Sequence, residues 1–149
     1  MKTLPRQRTA GLRATAVPAW LRLARVYHQL DRASAEHLRA YGLSVAQFDV
    51  LAQVGAHEGL TQQELADALL VTKGNVCQLV ERMEQAGLVA RQQEGRCKRL
   101  YLTEQGRALW QQAVPAQEQL IAGRFAALNP AEQRGLHALL RQLDRALAR

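Results

Sequence analysis

The sequence predicts a mainly α-helical chain that carries one small β-hairpin. Three observations predict it. Apolar residues recur at three- and four-residue spacing over most of the length. Cap signals stand just before those runs, at Ser44, Thr61, Thr72, Thr103 and Asn129. Only residues 88–102 change period, with two short strand-like runs around a polar, basic stretch.

Composition narrows the class. With 149 residues the chain has one domain's worth of length, and 48% hydrophobic content is enough for a core. No apolar run approaches about 18 residues, so no membrane span is expected. The 2 cysteines make no disulfide framework and fit a reducing, cytoplasmic setting. No apolar stretch follows the basic N-terminus, so no secretory signal is read. Aromatics at 5% argue against an all-β sandwich. The net charge of +7 is uneven: residues 1–30 hold Lys2, Arg6, Arg8, Arg13, Arg22 and Arg25 and no acid. That excess fits an anionic partner such as nucleic acid, or simply a soluble tail.

Residues 1–17 lack periodicity and contain Pro5 and Gly11, which reads as a flexible basic arm. Pro18 suits the first turn of a helix. That helix carries Leu23, Val26, Tyr27, Leu30, Leu38 and Tyr41, and Gly42 ends it. Ser44 and Gln47 form a capping box for a second helix, with Val45, Phe48, Leu51 and Ala52 inward. Thr61 and Glu64 form another, opening a short helix to about Leu70. Thr72 caps a helix that buries Val76, Leu79, Val80 and Met83 and closes at Gly87. Leu88–Ala90 and Leu100–Leu102 read as strands, and Arg91–Arg99 as a charged tip. Thr103 caps a long helix that Pro115 should kink or break. Asn129, Pro130 and Glu132 open the last helix, which carries Leu136, Leu139, Leu140, Leu143 and Leu147.

A short capped helix, a turn, a second capped helix and a basic hairpin follow one another over residues 44–103. That order is a winged helix-turn-helix. A helix fits the major groove, where every base pair shows a distinct donor–acceptor pattern. The outer side of the second capped helix presents Lys73, Gly74, Asn75, Cys77, Gln78, Glu81 and Arg82. The amides of Asn75 and Gln78 match adenine edges, Lys73 a phosphate or guanine, and Gly74 leaves room for a phosphate at a helix N-terminus. Arg91, Arg96, Lys98 and Arg99 outweigh Glu94 on the hairpin, suiting a minor groove. Thr72, Lys73, Gly74, Asn75, Cys77, Gln78 and Arg82 are therefore expected at or beside the major groove. Arg96 is expected at the minor groove, and Arg91, Lys98 and Arg99 on phosphate. Each feature alone would read as a solvated charged face.

From about residue 18 to 148 the chain resembles the MarR family of regulators. The resemblance rests on Leu60-Thr61-Gln62-Gln63-Glu64-Leu65-Ala66, on Val80-Glu81-Arg82-Met83-Glu84-Gln85-Ala86-Gly87-Leu88-Val89, and on Leu102-Thr103-Glu104-Gln105-Gly106. The family's wing has an Asp-Arg-Arg run where this chain has Glu94-Gly95-Arg96. The terminal arginine is kept as Arg96, the bracing acid becomes Glu94, and the middle arginine becomes Gly95.

The resemblance implies a homodimer on pseudo-palindromic double-stranded DNA. Residues 18–43 and 104–149 would form a helical dimerisation body beside the lobe at 44–103. The leucines at 136, 139, 140, 143 and 147 independently make a wider apolar face than a lone terminal helix needs; packing on the first helix is the alternative. It further implies a regulator, more often a repressor, that a small and often aromatic anion releases. Trp20, Tyr27, His28, Phe48 and Asp49 are candidates for that pocket, with core packing and a salt bridge as the alternative. The tryptophan and aspartate also resemble the urate-responsive branch. Cys77 and Cys97 offer a thiol-oxidation switch, or are small residues without one. The histidines show no ligand spacing, no metal or cofactor is read, and no enzyme motif occurs. A nonspecific DNA-coating protein and a winged-helix protein-interaction module remain as rivals.

Overall fold

A computed structural model describes residues 6–148 of the chain. The order is α1 (Arg6–Leu38), a 3₁₀ turn (Arg39–Tyr41), α2 (Val45–Ala56), α3 (Gln62–Leu69) and α4 (Lys73–Gln85). Then come β1 (Val89–Glu94), β2 (Cys97–Leu102), α5 (Glu104–Arg124) and α6 (Pro130–Leu147). The expected mainly α architecture with a hairpin wing is present.

Caps set most boundaries. The hydroxyls of Ser44, Thr61, Thr72 and Thr103 each accept from the backbone N–H three residues on, as does the Asn129 side chain. Reciprocal boxes close at Ser44–Gln47 and Asn129–Glu132. At Thr61 the Glu64 carboxylate instead accepts from the Thr61 hydroxyl, at 3.2 Å. Gly42 and Gly87 take the left-handed conformation that ends the preceding turns.

Two expectations change, and one left open is decided. The helix expected to open at Pro18 opens at Arg6, so the expected arm over 1–17 is helical from residue 6; residues 1–5 lie outside the described residues. Arg, Gln, Ala and Leu dominate residues 6–17, and their helix propensity outweighs Gly11. Pro115 does not break α5. Pro115 and Gln111 are both exposed, so the Gln111 carbonyl that loses its donor lies on the solvent side. The wing tip is much shorter than Arg91–Arg99, because the strands continue to Glu94 and resume at Cys97. Gly95 and Arg96 alone make the turn, with Gly95 at φ +61. A tight hairpin turn of this kind needs a glycine at its first central position.

The core sits in the lobe. Val50, Leu51 and Val54 of α2, Leu65 and Ala66 of α3, and Val76, Val80 and Met83 of α4 are buried against Leu88, Val89, Leu100 and Leu102. Leu38 and Ala113 tie α1 and α5 to it. A buried hydrogen bond from Gln117 Nε2 to Ser34 Oγ, 2.7 Å, also joins α5 to α1. The segment before α3 pairs with the wing: Gly59 N–H donates to Leu100 O at 2.8 Å, and Leu100 N–H to Leu60 O at 2.9 Å. Glu58 accepts from Arg107 of α5 at 2.7 Å and from the Leu102 N–H of β2 at 3.2 Å. By contrast, α6 has no buried residue.

Two tests follow from these joints. A Cβ on Gly106 would collide with the Leu88 carbonyl, which already accepts from Thr103 N–H. Gly106→Ala should therefore lower stability by about 1–3 kcal/mol in urea unfolding; an unchanged midpoint would contradict this packing. The hydrogen bond from Arg107 holds the Glu58 carboxyl below the usual glutamate range, with the Leu102 amide helping and burial opposing. A depressed carboxyl stabilises the fold above its unfolded pKa and loses that effect as pH falls through its folded value. Glu58→Gln should thus lower the melting temperature at pH 7, and the gap should close in acid. A gap that stays constant with pH would show that the charge is idle.

Candidate nucleic-acid interface

Helix α4 divides cleanly. Its inward stripe is Val76, Val80 and Met83, so the opposite side is committed to solvent. Lys73, Gly74, Asn75, Gln78 and Arg82 are exposed there, and Thr72 is exposed at the cap. The side chains of Lys73, Asn75, Gln78 and Arg82 have no hydrogen-bond or ion-pair partner among the described residues. A Cβ on Gly74 would meet only Thr72 Oγ1, at 4.0 Å, so nothing in the fold fills that space. The free N–H groups of the first turn carry partial positive charge, which attracts anions.

Cys77 lies elsewhere than expected. It is half-buried rather than on the outer face, and its thiol donates to Gln62 Oε1 of α3 at 3.8 Å. Helical spacing puts it between the two sides, and the α3 packing decides which. Cys97 is exposed at the start of β2.

The wing's cations divide into two pairs. Arg91 bonds Glu84 of α4 at 2.6 Å and is half-buried. Arg99 bonds Glu94 at 2.9 Å and donates to Gly59 O at 2.8 Å. Both were expected on phosphate, and both are paired with carboxylates of the lobe in this chain. Glu94 also accepts from the Tyr101 hydroxyl at 3.1 Å, so it braces Arg99 across the strands and not Arg96. Arg96 at the turn and Lys98 beside it are exposed, with no partner among the described residues. They are the wing's uncommitted charges.

The turn between α3 and α4 contains a residue that sequence reasoning missed. Leu70 sits at φ 55, ψ 39, and is 86% exposed. The left-handed region costs an L-residue with a side chain about 1–2 kcal/mol. Its position right after the last apolar residue of a short helix was the only signal in the sequence.

Of the five expected pocket residues, Phe48 lines a groove and the other four lie on α1 and α2. Phe48 lines a groove of about 500 Å³ between α2 and α5, with Ala52, Val114, Gln117, Ile121 and Phe125. Trp20, Tyr27 and His28 are exposed on α1, with the Tyr27 and His28 rings edge to face at 6.0 Å. Asp49 is half-buried; burial pushes its carboxyl up, and nearby Asp31 adds to the shift. Gln117 Oε1 is buried without a donor, which was not legible in the sequence. No helix among the described residues is long and apolar enough to cross a membrane.

The geometry has close counterparts. Residues 41–100 match the model of the MarR family. An HTH-type transcriptional regulator of Bacillus cereus is 38% identical over 127 residues, covering 85% of this chain and 86% of the relative. The solved structure of Bordetella bronchiseptica BpsR, whose DNA binding is regulated by 6-hydroxynicotinic acid, is 27% identical. It superposes with a TM-score of 0.78 over 85% of this chain and 98% of that one. The regulator SlyA superposes at 0.80 with 20% identity, over 87% and 93%, which shows the shared fold. With its winged helix-turn-helix lobe and this agreement along most of its length, the chain belongs to the MarR family of DNA-binding transcriptional regulators.

Proposed function

We propose that the chain works as a homodimeric repressor on a pseudo-palindromic operator, released by a small molecule. One observation carries the reading: the unpartnered polar row of α4 and the unpartnered Arg96 and Lys98 of the wing lie on a single packed lobe. Lys73, Asn75 and Gln78 read base edges in the major groove, Thr72 and the α4 N-terminus hold phosphate, and Arg82 flanks them. Arg96 enters the minor groove, where the potential is most negative. Arg91 and Arg99 act one step back, by fixing the hairpin.

The dimer is supported by what one protomer leaves uncovered. Leu139, Leu140, Leu143 and Leu147 of α6 are exposed, at 67% for Leu139 and 75% for Leu147. Leu136 is half-buried, and Trp20 on α1 is 63% exposed. Apolar faces this wide on a small chain are interaction surfaces. Two protomers would set two α4 helices about one helical turn apart, roughly 10 bp between half-sites. The effector reading is supported by the apolar groove at Phe48 and by BpsR, whose DNA binding answers to 6-hydroxynicotinic acid. A cytoplasmic location goes with a regulator of transcription.

The test starts from duplexes selected out of a random-sequence pool, with binding followed by fluorescence anisotropy across salt. The wild type should select one inverted repeat, bind it at two chains per duplex and lose affinity steeply with salt. Arg96→Ala should weaken binding and lower the salt slope by about 1, and Gln78→Ala should relax one base position by about 1–3 kcal/mol. Selection of no sequence, one chain per duplex, or an Arg96→Ala protein with unchanged affinity and slope would contradict the corresponding part.

A further inference from the structure

We propose that Leu70 is a specificity residue that recognises the 5-methyl group of a thymine in each half-site; this rests on the DNA-binding reading above. Leu70 is the last residue before the short connection into α4, two positions ahead of the Thr72 cap. It is the only described residue other than glycine with positive φ. Its side chain is almost wholly in water, and that of its neighbour Val71 is exposed as well. A glycine here would relieve the backbone and remove the exposed apolar surface at once. The sequence instead keeps a branched apolar side chain in an unfavourable backbone conformation, and such outliers concentrate at functional sites.

The turn is held by backbone hydrogen bonds, so the Cα–Cβ bond of Leu70 has a definite direction. Leu70 N–H bonds to Asp67 O at 3.3 Å, and Val71 N–H bonds to Ala66 O at 3.1 Å. The α4 N-terminus and Lys73 follow directly and form an anion-attracting surface continuous with the turn. An apolar group set at the rim of such a surface has one apolar target on the major-groove edge, the thymine methyl.

The test uses a duplex selected by the wild-type protein from a random pool. Each thymine is replaced in turn by deoxyuridine, which deletes only the methyl group. Wild type, Leu70→Gly and Leu70→Asn are compared by anisotropy; both replacements tolerate the left-handed conformation, so the melting temperature should hold or rise. One thymine per half-site should cost wild type about fourfold in affinity when its methyl is removed, the equivalent of one buried carbon. That substitution should be silent in both variants. Coupling confined to one thymine supports the proposal. It is overturned if the variants keep the wild-type deoxyuridine profile. It is also overturned if they lose affinity equally on every sequence, as a sugar or phosphate contact would. If wild type selects a sequence yet ignores every deoxyuridine, only the Leu70 role falls. If wild type selects no sequence, the DNA-reading surface falls and takes this role with it.

Discussion

The backbone pairing between Gly59–Leu60 and Leu100 is the joint on which the proposed DNA-facing surface depends. Gly59 N–H reaches Leu100 O, and Leu100 N–H reaches Leu60 O, at 2.8 and 2.9 Å. A two-stranded hairpin alone is marginal in water. These bonds add a short third edge to it at the point where α3 begins. The Arg99 guanidinium reinforces the edge by donating to Gly59 O, and Glu58 ties the same segment to β2 and α5. On the far side, Arg91 bonds Glu84 and locks β1 to α4. Helix and wing are therefore joined at both edges of the hairpin, which favours a spacing of Gln78 and Arg96 set by packing rather than by DNA.

The same arrangement explains how the wing spends its charge. Of four cations, Arg91 and Arg99 are consumed in building the hairpin, while Arg96 and Lys98 stay available at its end. The body follows the opposite logic. The lobe closes its core within one protomer, whereas α6 buries none of its residues. A helix draws most of its stability from packing of an apolar face. An α6 that is apolar on one side and uncovered is thus incomplete in a single protomer, as the proposed dimer requires.

Much of this was legible in the residues. The lobe's helices could be bounded from Ser44, Thr61, Thr72 and Thr103, because a cap is a local event between residues three apart. The exposed polar face of α4 followed from the buried stripe at Val76, Val80 and Met83. What escaped depends on neighbours distant in sequence. Arg99 looked like any surface arginine until Glu94, across the strand, and Gly59, 40 residues away, came beside it. Cys77 sits on the border of two helix faces, and only α3 decides its side. The start of α1 was misread because Pro5, Gly11 and Pro18 weighed more than the helix formers around them.

Amide hydrogen exchange of the free protein tests the rigid-lobe account directly. Gly59 and Leu100 amides should be protected to nearly the same free energy as Leu51 and Val80 in the core, while Arg96 at the turn exchanges freely. Equal, fast exchange at Gly59, Leu100 and Arg96 would mean that the wing moves independently of α4. The account of a prearranged DNA-facing surface would then be wrong.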